Sequence, residues 1–308
     1  MVAAQIRGAT AMSLLAAFLW ASYYGFVLVL EGRISPLALT VYPFLVGGVA
    51  YSAFSAYRGE GRALLRLFLS PEQWGRIGLF LGIQVSIVYI TLVNGAVDAA
   101  LLSLLGDVAV TPLFVMLAFE EGRDRLSSPV FLGGVLLSAA GASLTIVAGG
   151  GLVGLAGLSL LIAPLLPLLV AGFFISAARA GRDRPITAIA GQAALVAGLA
   201  AAPWALLLPV PLGSLAVPGG GAAVLLIGTG ITSFFLAPLL YFRSIQRAGI
   251  FLPSLLMAAI PVFTLLFAAL VGKQYPTPLG LLGVPVAVAG ATLAVRGSQS
   301  SENPYQPA

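Results

Sequence analysis

The 308-residue chain is 60% hydrophobic and only 8% charged, with a mean hydropathy of +1.07 and a formal net charge of +5. A soluble domain carries roughly 25% charged residues, so this composition excludes a water-soluble globule, and its hydrophobicity excludes disorder. The chain has no cysteine and no histidine, which removes thiol chemistry, structural zinc and histidine acid/base catalysis.

Ten continuous apolar runs follow one another: 9–30, 35–57, 74–94, 97–119, 128–148, 154–178, 186–208, 222–243, 249–271 and 277–296. A span needs about 20 apolar residues. The runs do not alternate as β-barrel strands do, and helices satisfy their own backbone groups in lipid. The expected class is therefore all-α integral membrane, with ten transmembrane helices.

Span 1 is too long for a signal-peptide core. It carries Ser13, Trp20 and Tyr24 at helical spacing, with Tyr23 adjacent. Tryptophan and tyrosine favour membrane interfaces. At mid-span, Trp20 reads either as packing bulk or as an aromatic wall for an amino-acid side chain or a cation. Tyr42, Tyr51 and Tyr57 around span 2, and Trp204 in span 7, read as packing or interfacial anchors.

Span 3 sets Gln84 and Thr91 on one face, with Tyr89 and Asn94 nearby. Span 4 holds Asp107 near its midpoint, flanked four residues away on either side by Ser103 and Thr111. A mid-membrane charge costs at least about 2.5–3.5 kcal/mol and faces a bundle interior or an aqueous cavity. Asp107 reads as a proton-coupling group or a counter-charge for a substrate ammonium. Its alternative is a protonated carboxyl bonded to a neighbouring helix. Asp98, at the end of the same span, suits the helix dipole.

Span 8 groups Thr229, Thr232 and Ser233. These hydroxyls read as substrate contacts, or as bonds to the preceding carbonyls and helix glue. Pro112 and Pro261 interrupt spans 4 and 9 and permit kinks, read as paired hinges or as static bends. The glycines of spans 5 and 10 suit close helix packing.

Loop charges give the orientation. Arg7, Arg58, Arg62, Arg66, Arg76, Arg123, Arg125, Arg179, Arg182, Arg184, Arg243, Arg247 and Arg296 fall on one side, leaving Arg33 and Lys273 on the other. The positive-inside rule makes the first side cytoplasmic, with both termini there. The charge is a topology signal rather than a nucleic-acid footprint. The polar end, 299–308, is expected to be a disordered cytoplasmic tail.

A constant offset of 149 residues aligns the two halves. Gly32, Arg33 and Pro36 meet Gly181, Arg182 and Pro185; Pro112 and Pro129 meet Pro261 and Pro278; Gly134 meets Gly283; and Gly141-Ala142-Ser143-Leu144 meets Gly290-Ala291-Thr292-Leu293. Each half holds five spans, so the second enters the membrane upside down. Arg58, Arg62 and Arg66 accordingly have Leu207, Pro211 and Leu215 as counterparts. The expected domains are two inverted-topology five-helix repeats, 1–149 and 150–298, an arrangement that transporters use.

The stretch from Gly228 to Val295 resembles the second EamA domain of the drug/metabolite transporter superfamily: a Tyr241-containing helix end, a short loop, a helix centred on Pro261, a polar turn and a Gly-rich last helix. Gly78 to Ala148 is similar to the first such domain, and Trp20 matches its usual tryptophan. The resemblance implies ten helices, cytoplasmic termini and a central cavity lined by spans 3, 4, 8 and 9. It also implies export of metabolites, with the aromatic amino-acid exporters as one branch. Asp124 and Lys273 stand where the family has a glutamate.

The expected function is export of small metabolites, amino acids or related amines foremost, by alternating access in the cell (inner) membrane, with protons as the coupling ion. Substrate contacts are assigned to Trp20, Tyr24, Gln84, Tyr89, Ser103, Asp107, Thr232 and Ser233, coupling to Asp107, and hinging to Pro112 and Pro261. No P-loop or dinucleotide fingerprint occurs, so no cofactor and no metal are expected. Expected partners are the substrate, membrane lipids and protons, without nucleic acid, for a monomer or homodimer. A sugar or lipid-linked substrate is the alternative, and an intramembrane enzyme a more distant one. Asp107→Asn is expected to abolish the pH dependence of transport in proteoliposomes; a pH dependence equal to the parent's would sink the coupling role.

Overall fold

The computed structural model describes residues 2–30, 33–62, 70–93, 128–148, 159–180, 216–217, 219–270 and 277–300. Among the described residues the regular structure is all helical, with eight long rods. They are α1 (Val2–Leu30), α2 (Pro36–Tyr57), α3 (Pro71–Val93), α4 (Pro129–Ala148) and α5 (Ser159–Ala180). Next comes α6, whose arms Gly219–Ile231 and Ala237–Ala248 flank a π-helical turn, Thr232–Leu236. In α7, the arms Phe251–Leu256 and Ile260–Leu270 flank a 3-10 turn, Met257–Ala259; α8 is Pro278–Ser300. These rods match eight of the ten expected spans. The spans at 97–119 and 186–208 lie outside the described residues.

Helix starts follow from local chemistry. Ser35 accepts a hydrogen bond from the Ala38 amide at 3.1 Å, with Pro36 in the first turn. Ser128 caps the Phe131 amide at 3.3 Å and Thr277 caps the Gly280 amide at 3.1 Å, each just before a proline. A hydroxyl cap satisfies an orphan amide, and proline at the first position gives up none. The Ser128-Pro129 and Thr277-Pro278 starts are separated by the 149-residue offset.

Two ends differ from expectation. Helix α1 begins at Val2 rather than residue 9, because Ala3, Ala4, Gln5, Ile6 and Arg7 include good helix formers. Helix α8 runs to Ser300, so residues 299 and 300 are helical rather than tail; 301–308 lie outside the described residues. An existing helix adds each residue with one new hydrogen bond, and Gly297 seats its last turns on Phe131.

Ile6–Val27, Leu37–Tyr57 and Gly219–Ala248 are each long and apolar enough to cross a membrane. The outer surface is apolar as well: Leu161 and Leu270 are each 71% exposed, and Val224 is 68% exposed. Lipid tails accept such a surface. The interior is one main cluster drawn from α1, α2, α3, α5, α6 and α7.

The closest helix pair is α4 with α8. A Cβ at Gly134 would stand 2.8 Å from the Gly290 carbonyl oxygen, and one at Gly141 would stand 2.7 Å from that of Gly283. Without side chains at these points the two backbones touch, as small-residue faces in membranes allow. The pairs Gly134–Gly290 and Gly283–Gly141 exchange under the 149-residue offset. The long packings of α1 on α6 and of α5 on α3 exchange in the same way.

Gly290→Ala brings a methyl to 2.7 Å from the Gly134 carbonyl oxygen, and overpacking of this kind costs about 1–3 kcal/mol. Thermal unfolding of the purified protein should show that loss. Gly220→Ala, with nothing within 4 Å, should show none. Equal melting temperatures for the two variants would refute the close-packing account.

Candidate functional site

Of the residues that the sequence singles out, Trp20, Thr232 and Ser233 lie where α1 and α6 cross, beside α5. Trp20 of α1 lies 5.3 Å from the Tyr241 ring and 6.1 Å from Phe174, which in turn lies 5.2 Å from Tyr241. Tilted and edge-on contacts of this kind favour the ring quadrupoles. From Phe174 the ring contacts continue through Phe173 and Phe80 to Phe44, and then through Phe234 to Tyr23 and Tyr24. The circuit returns to α1 one turn from Trp20. Trp20 is half-buried within this aromatic cluster, with packing partners on both α5 and α6.

Hydroxyls sit between the same helices. Ser233 donates to the Leu19 carbonyl at 2.8 Å and lies 3.3 Å from the Ser22 hydroxyl. Ser13 donates to Ser244 at 2.9 Å. The Tyr241 hydroxyl meets that of Ser254 at 3.0 Å, joining α6 to α7. All of these serines are buried. Thr232 bonds the Gly228 carbonyl of its own helix at 2.9 Å and remains half-exposed. Ser233 is thus helix glue as well as a polar point beside Trp20.

Thr232 and Ser233 stand in the π-helical turn, a break in what the sequence reads as a regular span. The cause is Pro238, which lacks an amide hydrogen and crowds the carbonyl four residues back, at Phe234. The chain widens, and the Ala237 amide bonds the Thr232 carbonyl instead. Such bulges frequently occur at functional sites. In α7 the helix tightens into the 3-10 turn just before Pro261, a residue without an amide hydrogen, and the Ile260 amide bonds the Met257 carbonyl.

Tyr24 stacks on Tyr23 at 5.4 Å, and Tyr89 packs half-buried on the main core. Gln84 belongs to α3, with its side chain outside the described residues. Ser103, Asp107 and Pro112 lie outside the described residues altogether, as do Asp98 and Asn94.

The sequence reading missed a second set of polar atoms. The hydroxyls of Tyr51 and Ser55 and both amide atoms of Gln73 are buried without a hydrogen-bond partner. These residues are 1%, 0% and 0% exposed. Each such group costs about 1–3 kcal/mol. Tyr51 is therefore more than a packing or interfacial anchor, whereas Tyr57, 89% exposed, has the exposure an interfacial anchor needs. The available signal was a tyrosine and a serine four residues apart, on one face of a mainly apolar helix.

Residues 156–296 match the EamA-like transporter family. The match takes in one of the two five-helix units expected from the sequence. No curated protein matches the chain. A solved crystal structure superposes with a TM-score of 0.75 at 22% identity, covering 94% of this chain and 97% of the other. Similarity at that level establishes a shared fold across both halves.

Ser233→Ala removes the bond to the Leu19 carbonyl. Interhelical hydrogen bonds in membranes are worth about 0.6 kcal/mol, with a maximum near 1.7. Reversible unfolding in detergent should show a loss in that range, and a loss above about 3 kcal/mol would contradict the assignment.

Proposed function

We propose that this chain is a membrane transporter that exports small metabolites, amino acids or related amines foremost. It works by alternating access between two inverted five-helix repeats, 1–149 and 150–298, which together make ten spans. The repeats lie in the inner membrane with both termini cytoplasmic.

The observation that carries the reading is the exchange of helix packings between the halves. Helix α1 packs on α6 as α5 packs on α3, and the glycine contacts of α4 and α8 swap under the same offset. A fold whose halves are interchangeable has two conformations of similar energy, one open to each side. The EamA match over 156–296 supports transport, and the shared fold supports one architecture across both halves.

The convergence of Trp20, Phe174 and Tyr241 supports substrates with an apolar or aromatic body, or with an ammonium held over a ring face. Ser233 and Thr232 stand beside this aromatic surface as polar contacts. The non-regular turns at Thr232–Leu236 and Met257–Ala259 are points where α6 and α7 bend as the halves rock, with Pro261 as a hinge. Proton coupling through Asp107 follows from the sequence argument.

Proteoliposomes loaded with labelled amino acids or arylalkylamines should lose label faster than empty-vesicle controls, and faster still under an opposing proton gradient. Trp20→Ala should slow flux of aromatic substrates about tenfold, through lost ring contacts and burial. Lipid turnover without movement of any labelled amino acid or amine would overturn the proposal in favour of an intramembrane enzyme.

A further inference from the structure

Two helix registers bring Tyr51, Ser55, Gln73 and Arg243 to one end of the bundle, Tyr51 level with Gln73 and Ser55 level with Arg243 about one turn further on. In the antiparallel pair α2 and α3, Phe44 meets Phe80 at 6.5 Å. Seven residues on along α2 stands Tyr51, and seven residues back along α3 stands Gln73. In the parallel pair α2 and α6, Gly47 lies against Phe234. Eight residues beyond Gly47 is Ser55, and nine beyond Phe234 is Arg243. At the Tyr51 level α6 presents Phe235, with its ring 4.9 Å from that of Tyr51, and Arg243 follows about two turns further along α6.

The chemistry of this group is one-sided. Arg243 is half-buried and makes no ion pair among the described residues, where Glu60 is instead bonded to Arg58 at 3.2 Å. The Arg243 guanidinium is within electrostatic reach of the Tyr51 side chain. At the same end of the bundle, the two hydroxyls and the Gln73 amide have no protein partner. A guanidinium, two hydroxyls and an amide NH2 offer donors to an anion, and carboxylates accept them well.

The other half lacks the cation and both hydroxyls, keeping as donors only the N–H groups of a tryptophan and an asparagine. At the 149-residue offset, Tyr51, Ser55, Gln73 and Arg243 correspond to Ala200, Trp204, Ala222 and Asn94. The donor group therefore breaks the pseudo-symmetry. Packing that merely closed one end of the protein would not require polar atoms there. It also lies at the arginine-rich end, where Arg58, Arg62 and Arg247 gather.

We propose that Tyr51, Ser55, Gln73 and Arg243 form an anion subsite at the arginine-rich end of the protein, which receives the carboxylate of the transported molecule. The role as a transport subsite rests on the transporter reading, whereas the binding of an anion does not. The subsite gives the two ends of the transport path different affinities for a carboxylate, so that a substrate is captured at one end and released at the other.

The test is thermal stability of the purified full-length protein in detergent at constant ionic strength. Sodium benzoate, L-phenylalanine, phenethylamine and sodium chloride are titrated separately. Benzoate and phenylalanine should stabilise the parent protein. Tyr51→Phe and Arg243→Gln should each raise their half-saturating concentrations about tenfold, the scale of one hydrogen bond to a charged group. Any effect of phenethylamine should be unchanged. Stabilisation by chloride that equals benzoate would assign the site to a small inorganic anion and overturn the carboxylate assignment.

Absence of benzoate stabilisation in the parent, or equal half-saturation in parent and variants, would overturn the subsite. Tyr51→Phe removes a single oxygen that has no partner, so it should fold even if Arg243→Gln does not. Benzoate binding without flux in proteoliposomes would sink the transporter reading and leave the anion site standing.

Discussion

The contact of α4 with α8 sets the frame. Lipid offers no hydrophobic drive for two apolar helices to associate, so packing must come from close approach. Gly134, Gly141, Gly283 and Gly290 strip side chains from the facing surfaces, and backbone atoms of the two helices then meet directly. One helix comes from each half, and the pairings exchange between halves. A two-fold relation between the two helices is the simplest geometry that satisfies both with one set of contacts.

Around that frame the remaining helices face a different problem. Helices α1, α5 and α6 meet through bulky rings rather than glycines, and their polar atoms are tied off locally. Ser22, Ser52, Ser86, Ser176, Thr229 and Thr232 each donate to a carbonyl of their own helix. Such bonds let a hydroxyl sit in an apolar interior at little cost. Tyr51, Ser55 and Gln73 are exceptions. The Thr264 hydroxyl is a further one, on α7, but Tyr51, Ser55 and Gln73 stand together at the arginine-rich end, and that grouping gives the donor set its meaning.

The breaks in α6 and α7 have the same origin. Pro238 and Pro261 each remove one amide hydrogen from the helical ladder. The helix responds by widening in one case and tightening in the other. Both breaks lie beside residues of the central cluster, so local backbone irregularity and the aromatic surface occupy one region of the fold.

The sequence by itself determined the all-helical class and placed eight of the described rods, because a hydrocarbon interior demands long apolar runs and internal hydrogen bonding. Its glycine spacing marked spans 5 and 10 for close packing, since only residues without side chains permit it, but not that they pack on each other. Trp20 and Ser233 were legible as residues with interhelical partners, because aromatic and hydroxyl groups at mid-span need special surroundings. The two helix ends were misjudged, because polarity marks where lipid stops and not where a helix stops. Tertiary structure alone decided which polar atoms lack partners. Tyr51 and Gln73 belong to different helices, and whether a buried hydroxyl or amide is satisfied depends on what faces it across the interface, which no pattern within one helix records.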